Sequence, residues 1–214
     1  MAPVVGVLAL QGAFREHARM FRKLRADVRE VRLPAQLDGL DGLAIPGGES
    51  TTMGKLLEEF GLCEPLSRFA TRRPVFATCA GLIVLAQSVV GRSRQPLLKM
   101  LDVEVERNGF GRQVHSFESP VELQPPLGLQ GELFPGVFIR APRIFPLGTR
   151  ARVVAGLNGE PVGVLQGNLL ATSFHPELSG DLRLHAFFLD HMVCGEGNID
   201  RQTEVDAVTS SMTR

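Results

Sequence analysis

The sequence predicts an α/β protein built on an open, mostly parallel sheet flanked by helices, and three observations carry that prediction. Short apolar runs alternate with amphipathic stretches through the first half of the chain. The first run, Val4 to Leu10, is rich in valine and apolar throughout, as a strand covered on both faces should be. Polar or glycine-rich turns follow these runs, at the strand ends where parallel sheets collect their sites. Bulk properties agree. The 214 residues are 44% hydrophobic, enough for a real core. Lys plus Arg and Asp plus Glu number 23 each, so no global field draws the chain to nucleic acid or to membrane. Cys63, Cys79 and Cys194 are far apart and form no C-x-x-C pair, which argues against a disulfide framework or a zinc site. Met1 to Leu10 lacks a basic leader, and no apolar run is long enough for a bilayer. Expected on these grounds is a cytoplasmic protein with one domain over 1–194 and a flexible polar tail over 195–214.

In order, Val4 to Leu10 reads as the first strand. Phe14, Ala18, Phe21 and Leu24 then recur at helical spacing, opposite Arg15, Glu16, Arg19 and Lys23. A second strand is expected around Asp27 to Leu33 and a third over Gly42 to Ile45. The turn Pro46-Gly47-Gly48-Glu49-Ser50 feeds a helix from about Thr51 to Phe60, and Glu64 to Thr71 forms another. Val75 to Ala77 is a strand leading into Cys79. From Gly91 to about Leu147 glycines and prolines predict short strands and loops laid over the sheet edge, not a separate domain. Ala151 to Leu157 and Pro161 to Leu165 form a hairpin through Asn158-Gly159, which favours a type I′ turn. Leu169 to Phe174 is a strand ending at His175. Asp181 to Val193 is the final helix, with Leu184, Phe187, Phe188 and His191 along one face.

Chemistry concentrates at Thr78-Cys79-Ala80-Gly81. An apolar run that stops at a cysteine and restarts as a helix is a nucleophile elbow, with the thiol exposed and the next N–H facing a developing oxyanion. The alternative is a buried, inert cysteine. In His175-Pro176-Glu177 the residues two apart on an extended segment share a side, so a carboxylate orients an imidazole beside Cys79 in a Cys-His-Glu triad; a surface turn is the plainer reading. Gly47 and Gly48 expose backbone N–H groups that, with Ala80, make an oxyanion hole. A phosphate loop fails on count, because five residues separate Gly48 from Gly54, and Leu56 stands where Ser or Thr is needed. Arg107 and Arg140 suit a substrate carboxylate, with solvated surface charge as the alternative. His17, His115, His185 and His191 lack metal-ligand spacing, which leaves packing or exposure.

Together with Leu10-Gln11-Gly12, Glu106-Arg107-Asn108-Gly109-Phe110-Gly111-Arg112-Gln113 and Phe138-Ile139-Arg140-Ala141-Pro142, these motifs closely resemble the glutaminase subunits of pyridoxal 5′-phosphate synthases, within the class I glutamine amidotransferases. The resemblance runs from about Val4 to Val193. It implies the flavodoxin-like three-layer architecture of that class and hydrolysis of L-glutamine to glutamate and ammonia, with the ammonia passed to a partner barrel subunit that builds pyridoxal 5′-phosphate. By motif, Cys79 is the nucleophile, His175 the base and Glu177 its orienter. Gly48 and Ala80 supply oxyanion N–H groups, and Gly48, Glu49, Ser50, Arg107, Ile139 and Arg140 hold glutamine. Gln11 lies near the oxyanion site at the partner interface, and docking reorganises the oxyanion loop of a poorly active free subunit. No organic cofactor or metal is implied for this chain. The alternatives are a class I glutaminase serving another synthase, a non-catalytic regulatory subunit of the same fold, and a cysteine hydrolase of the same sheet architecture.

Overall fold

The computed structural model describes residues 2–91, 95–110, 116–127 and 133–195. Gly111, Arg112 and Gln113 of the arginine motif, His115 and the expected tail beyond Gly195 lie outside the described residues. The predicted alternation runs β1 (Val4–Leu8), α1 (Phe14–Lys23), β2 (Asp27–Val31), β3 (Gly42–Ile45), α2 (Ser50–Glu59), α3 (Cys63–Ala70), β4 (Val75–Thr78) and α4 (Ala80–Leu85). The middle of the chain supplies β5 (Ala86–Val89), β6 (Leu101–Glu106), β7 (Phe117–Leu123), β8 (Leu133–Phe138) and β9 (Arg143–Pro146). Then follow β10 (Arg152–Leu157), β11 (Glu160–Gln166), β12 (Leu169–Thr172), α5 (Pro176–Ser179) and α6 (Arg183–Phe187).

A nine-stranded sheet has the order β2-β1-β3-β4-β12-β11-β10-β7-β8. Its pairs from β2 to β12 are parallel, and those from β12 to β8 are antiparallel. Alternate residues of each buried strand feed opposite faces. In β4, Val75 and Ala77 pack with Met53, Leu57, Leu66 and Ile83 of α2, α3 and α4, whereas Phe76 packs with Phe21 of α1 and Leu184 of α6. Three layers result.

Two expectations need correction. β7 and β8 are not laid over the sheet but extend it, because the antiparallel register from Phe117↔Phe138 to Glu122↔Leu133 pairs their backbones and buries Val121, Leu123 and Phe134 against the core. Among the described residues, β5, β6 and β9 form a separate, three-stranded sheet. The last helix starts at Arg183 and turns π-helical over Phe188–Val193; this wider winding buries Phe188, Leu189 and Met192 and turns His191 outward against Phe187. Asn158 and Gly159, at φ 51° and 81°, do form the expected type I′ hairpin between β10 and β11.

Two placements build the site. Parallel pairing of Ile45 with Ala77 and of Thr172 with Thr78 brings the carboxyl ends of β3, β4 and β12 to one edge. The antiparallel half curls until β8 returns to that edge, where His175 N–H donates to the Val137 carbonyl at 2.8 Å. α4 must also approach β3 closely, since a Cβ on Gly81 would run into the Ile45 carbonyl. Gly81→Ala is therefore expected to destabilise the protein by about 1–3 kcal/mol. The check is the urea midpoint, which should fall at unchanged slope; a wild-type midpoint would refute the close approach.

Among the described residues no helix is long and apolar enough to cross a membrane, and no three His, Cys, Asp or Glu residues group as metal ligands.

Candidate active site

The chain turns abruptly at Cys79, with φ 47° and ψ −99°, a region a non-glycine residue occupies only under constraint. The constraint is local: Cys79 N–H donates to the Thr172 carbonyl at 2.8 Å, and the Cys79 carbonyl accepts from Ile83 N–H at 3.1 Å. Strand β4 thus ends, and α4 begins, on either side of the cysteine. Contrary to the expectation of an exposed thiol, Cys79 is buried, with Sγ 3.8 Å from the Ile139 carbonyl, although it still borders a cavity.

His175 and Glu177 meet, but not on the extended segment expected. Pro176 at the first helical position sets φ for α5, and its single turn carries Glu177 back beneath the ring. His175 Nδ1–H donates to Glu177 Oε1 at 2.7 Å, and Cys79 lies beside the same ring. Burial disfavours a charged imidazole, but the bonds to Cys79 and Glu177 and their charges outweigh it and raise the His175 pKa to about 10. Glu177 is fully buried; burial works against its ionisation, yet His17 and His175 hold its carboxyl below the usual range.

The residues expected to hold a substrate come together. Gly48, Glu49, Ser50, Arg107, Ile139 and Arg140 line one narrow cavity with Cys79, Ile83 and Asn108, of about 60 Å³. Ala80 follows Cys79 directly as the first residue of α4. Glu49, however, spends its carboxylate within the protein. It caps α2, accepting from Thr51 N–H at 3.1 Å and from Thr52 N–H and Oγ1–H at 2.7 Å each, and accepts from Arg107 at 2.8 Å. Desolvation opposes its charge, but those donors prevail and hold its pKa at about 2. Arg107 also donates to Thr51 Oγ1 at 2.9 Å. Arg140, exposed and at φ 47°, has no hydrogen-bond or ion-pair partner among the described residues.

Gly47 is tied down as well: its carbonyl accepts from Ala13 N–H at 3.0 Å, and a Cβ there would strike His175. Gln11 Oε1 accepts from Glu49 N–H at 2.9 Å, which sets Gln11 against the same loop.

Two residues beside the site were not assigned to it from sequence. Gln95 donates to Ser50 Oγ at 2.9 Å and stands 3.4 Å from Arg107. It lies in the proline- and glycine-rich middle, where no periodicity marks it. His17, for which the sequence leaves packing or exposure, lies 3.4 Å from Glu177 Oε2. Its approach depends on how α1 packs against α5, which no local pattern encodes.

A family model described as the SNO glutamine amidotransferase family matches residues 7–194. A pyridoxal 5′-phosphate synthase subunit PdxT from Parafrankia sp. is 53% identical over 191 residues, covering 88% of this chain and 93% of that protein. The subunit of the same name from Deinococcus radiodurans is 55% identical over 190 residues, covering 86% and 95%. A crystal structure described as a glutamine amidotransferase is 49% identical and superposes with a TM-score of 0.81, covering 87% of this chain and 97% of that one. PurLQS from Thermotoga maritima, at 18% identity and a TM-score of 0.68 over 89% and 99% of the two chains, shares the fold.

Proposed function

This chain belongs to the SNO glutamine amidotransferase family, and from that premise we propose that it is the glutaminase subunit of a pyridoxal 5′-phosphate synthase. It hydrolyses L-glutamine to L-glutamate and ammonia and delivers the ammonia to the barrel subunit of the synthase, where the coenzyme is built. The observation that carries the chemistry is the buried His175 ring held between Cys79 and Glu177 at a strained strand-to-helix elbow. Identity with the PdxT relatives selects this partner over those of other class I glutaminases.

The Cys79 sulfur attacks the side-chain amide carbon of glutamine. An imidazolium at His175 stabilises the negative sulfur before attack and then supplies the proton that leaves with ammonia. Glu177 keeps the proton of Nδ1 in place throughout. The tetrahedral oxyanion rests on Ala80 N–H and Gly48 N–H. The Gly47 carbonyl is tied to Ala13, so the Gly48 N–H across the same trans peptide points away from Ala13 and is left for the oxyanion. Water then resolves the thioester, with His175 taking its proton.

Of the two arginines, Arg140 is the one available for the substrate carboxylate, while Arg107 bonds Glu49 and Thr51 directly and braces Ser50 through Gln95. Arg140→Gln is expected to raise KM for glutamine by about tenfold or more with kcat little changed, the signature of a uniform binding contact. Steady-state kinetics of the assembled synthase would show it, and an unaltered KM would remove Arg140 from the substrate site. The test of the whole reading is glutamate release by the purified chain, alone and with the barrel subunit. Strong activation by that subunit is expected; no release in its presence would overturn the assignment.

A further inference from the structure

Beneath the triad lies a chain of buried polar groups that the chemistry above does not use. His17 of α1 and His185 of α6 are fully buried. His17 Nε2 lies 3.1 Å from Thr78 Oγ1 and 3.4 Å from Glu177 Oε2, and His17 Nδ1 lies 3.0 Å from His185 Nε2. Glu177 Oε2 and His185 Nδ1 are buried without a hydrogen bond among the described residues.

One assignment of protons accounts for both orphans. Only one proton fits between His17 Nδ1 and His185 Nε2. Were it on His17, the bare Nε2 would set its lone pair against Glu177 Oε2, two acceptors facing each other in the interior. With the proton on His185 Nε2, His17 carries Nε2–H, which donates to Thr78 Oγ1 and turns its positive end toward Glu177 Oε2. His185 Nδ1 is then an unpaired neutral acceptor, a smaller penalty than an uncompensated carboxylate oxygen. Neutral rings also suit their surroundings. Burial lowers the pKa of His17, although Glu177 opposes it, and burial together with His17 drives that of His185 well down.

We propose that His17 is a positioning residue of the glutaminase: its Nε2–H, fixed in that tautomer by His185, holds Glu177 Oε2 so that Oε1 stays on His175 Nδ1. The inference rests on the triad reading given above. Its physical basis is that a carboxylate on a one-turn helix, bonded through one oxygen only, is otherwise free to rotate away from the imidazole, and a misdirected imidazole loses rate rather than affinity.

The first test needs no activity. Ring ¹⁵N spectra of the wild-type chain should show His17 as the neutral Nε2–H tautomer; an Nδ1–H tautomer would overturn the proposal. The second compares His17→Gln with His17→Asn in the assembled synthase, since the glutamine amide reaches the Nε2 position and the asparagine amide only that of Nδ1. His17→Gln is expected to stay within about threefold of wild-type kcat, and His17→Asn to lose about tenfold or more at nearly unchanged KM. The His175 ring, which faces Cys79 from the elbow, Glu177 from α5 and His17 from α1, should titrate lower in His17→Asn than in His17→Gln. Equal behaviour of the two variants, in rate and in that titration, would overturn the proposal. A wild-type complex that releases no glutamate would sink the glutaminase reading itself, independently of the tautomer result.

Discussion

Cys79→Ala should reduce glutamate release by at least about 10⁴-fold in the assembled synthase while leaving the fold and the association with the barrel subunit intact. Both halves follow from the elbow. The sulfur is the only atom the substitution removes, and the hydrogen bonds that impose φ 47° come from the backbone: Cys79 N–H to Thr172 and the Cys79 carbonyl to Ile83 N–H. Alanine meets the same constraint and keeps the same Cβ, so Ala80 N–H stays in place. The measurement is single-turnover glutamate release beside a binding titration of the two subunits. Turnover above the expected residue would move the nucleophile elsewhere; lost association would mean that the cysteine side chain shapes the docking face.

Glu177→Gln is expected to lower kcat by about 10² to 10⁴-fold, because the amide keeps the size of the carboxylate but not the charge that stabilises an imidazolium. It also meets a conflict that the carboxylate does not. If its oxygen accepts from His175 Nδ1, its NH₂ faces the His17 Nε2 edge. The same change has a pH signature whose sign is fixed. Although burial alone would lower it, the His175 pKa stands at about 10 in the folded protein through its bonds to Cys79 and Glu177, against an ordinary 6.5. A group raised on folding contributes stability that is complete below pH 6.5 and is lost as pH rises toward 10. Wild-type protein should therefore lose stability across that window, and Glu177→Gln should lose distinctly less. Denaturant midpoints taken at intervals through it decide the matter, and parallel profiles for the two proteins would dissociate Glu177 from the charge on His175.

Much of this site was legible from local chemistry. A run ending at Cys79 before Ala80-Gly81, and a proline that commits Glu177 to one side of His175, are signals confined to a few residues, and strands as apolar as Val4–Leu8 or Val75–Thr78 announce their burial. The alternation along Phe117–Leu123, by contrast, is interrupted by Pro120, and its partner strand carries Pro135 opposite it, so nothing local told a strand of the main sheet from a covering loop. Glu49 was read as a ligand for substrate because its motif places it at the site; its use as a cap was hidden because glutamate is not among the usual N-cap residues. For His17 and His185 the sequence leaves packing or exposure open. Both are buried, His17 against the back of Glu177 and His185 against His17, a relation created by three helices distant in sequence.

The meeting of strand ends at one sheet edge also fixes when, during folding, the protein becomes an enzyme. Cys79 follows β4, His175 follows β12, and Ile139 and Arg140 arrive with β8 only once the antiparallel strands have curled back to Val137. None of these junctions is a local hairpin, and the pairing of β4 with β12 closes a loop containing most of the second half of the chain. Contacts of such sequence separation form slowly, because chain entropy must be spent before they are made. Helix content and apolar collapse should recover early on refolding, and the ability to form the thioester should return only with the slowest step.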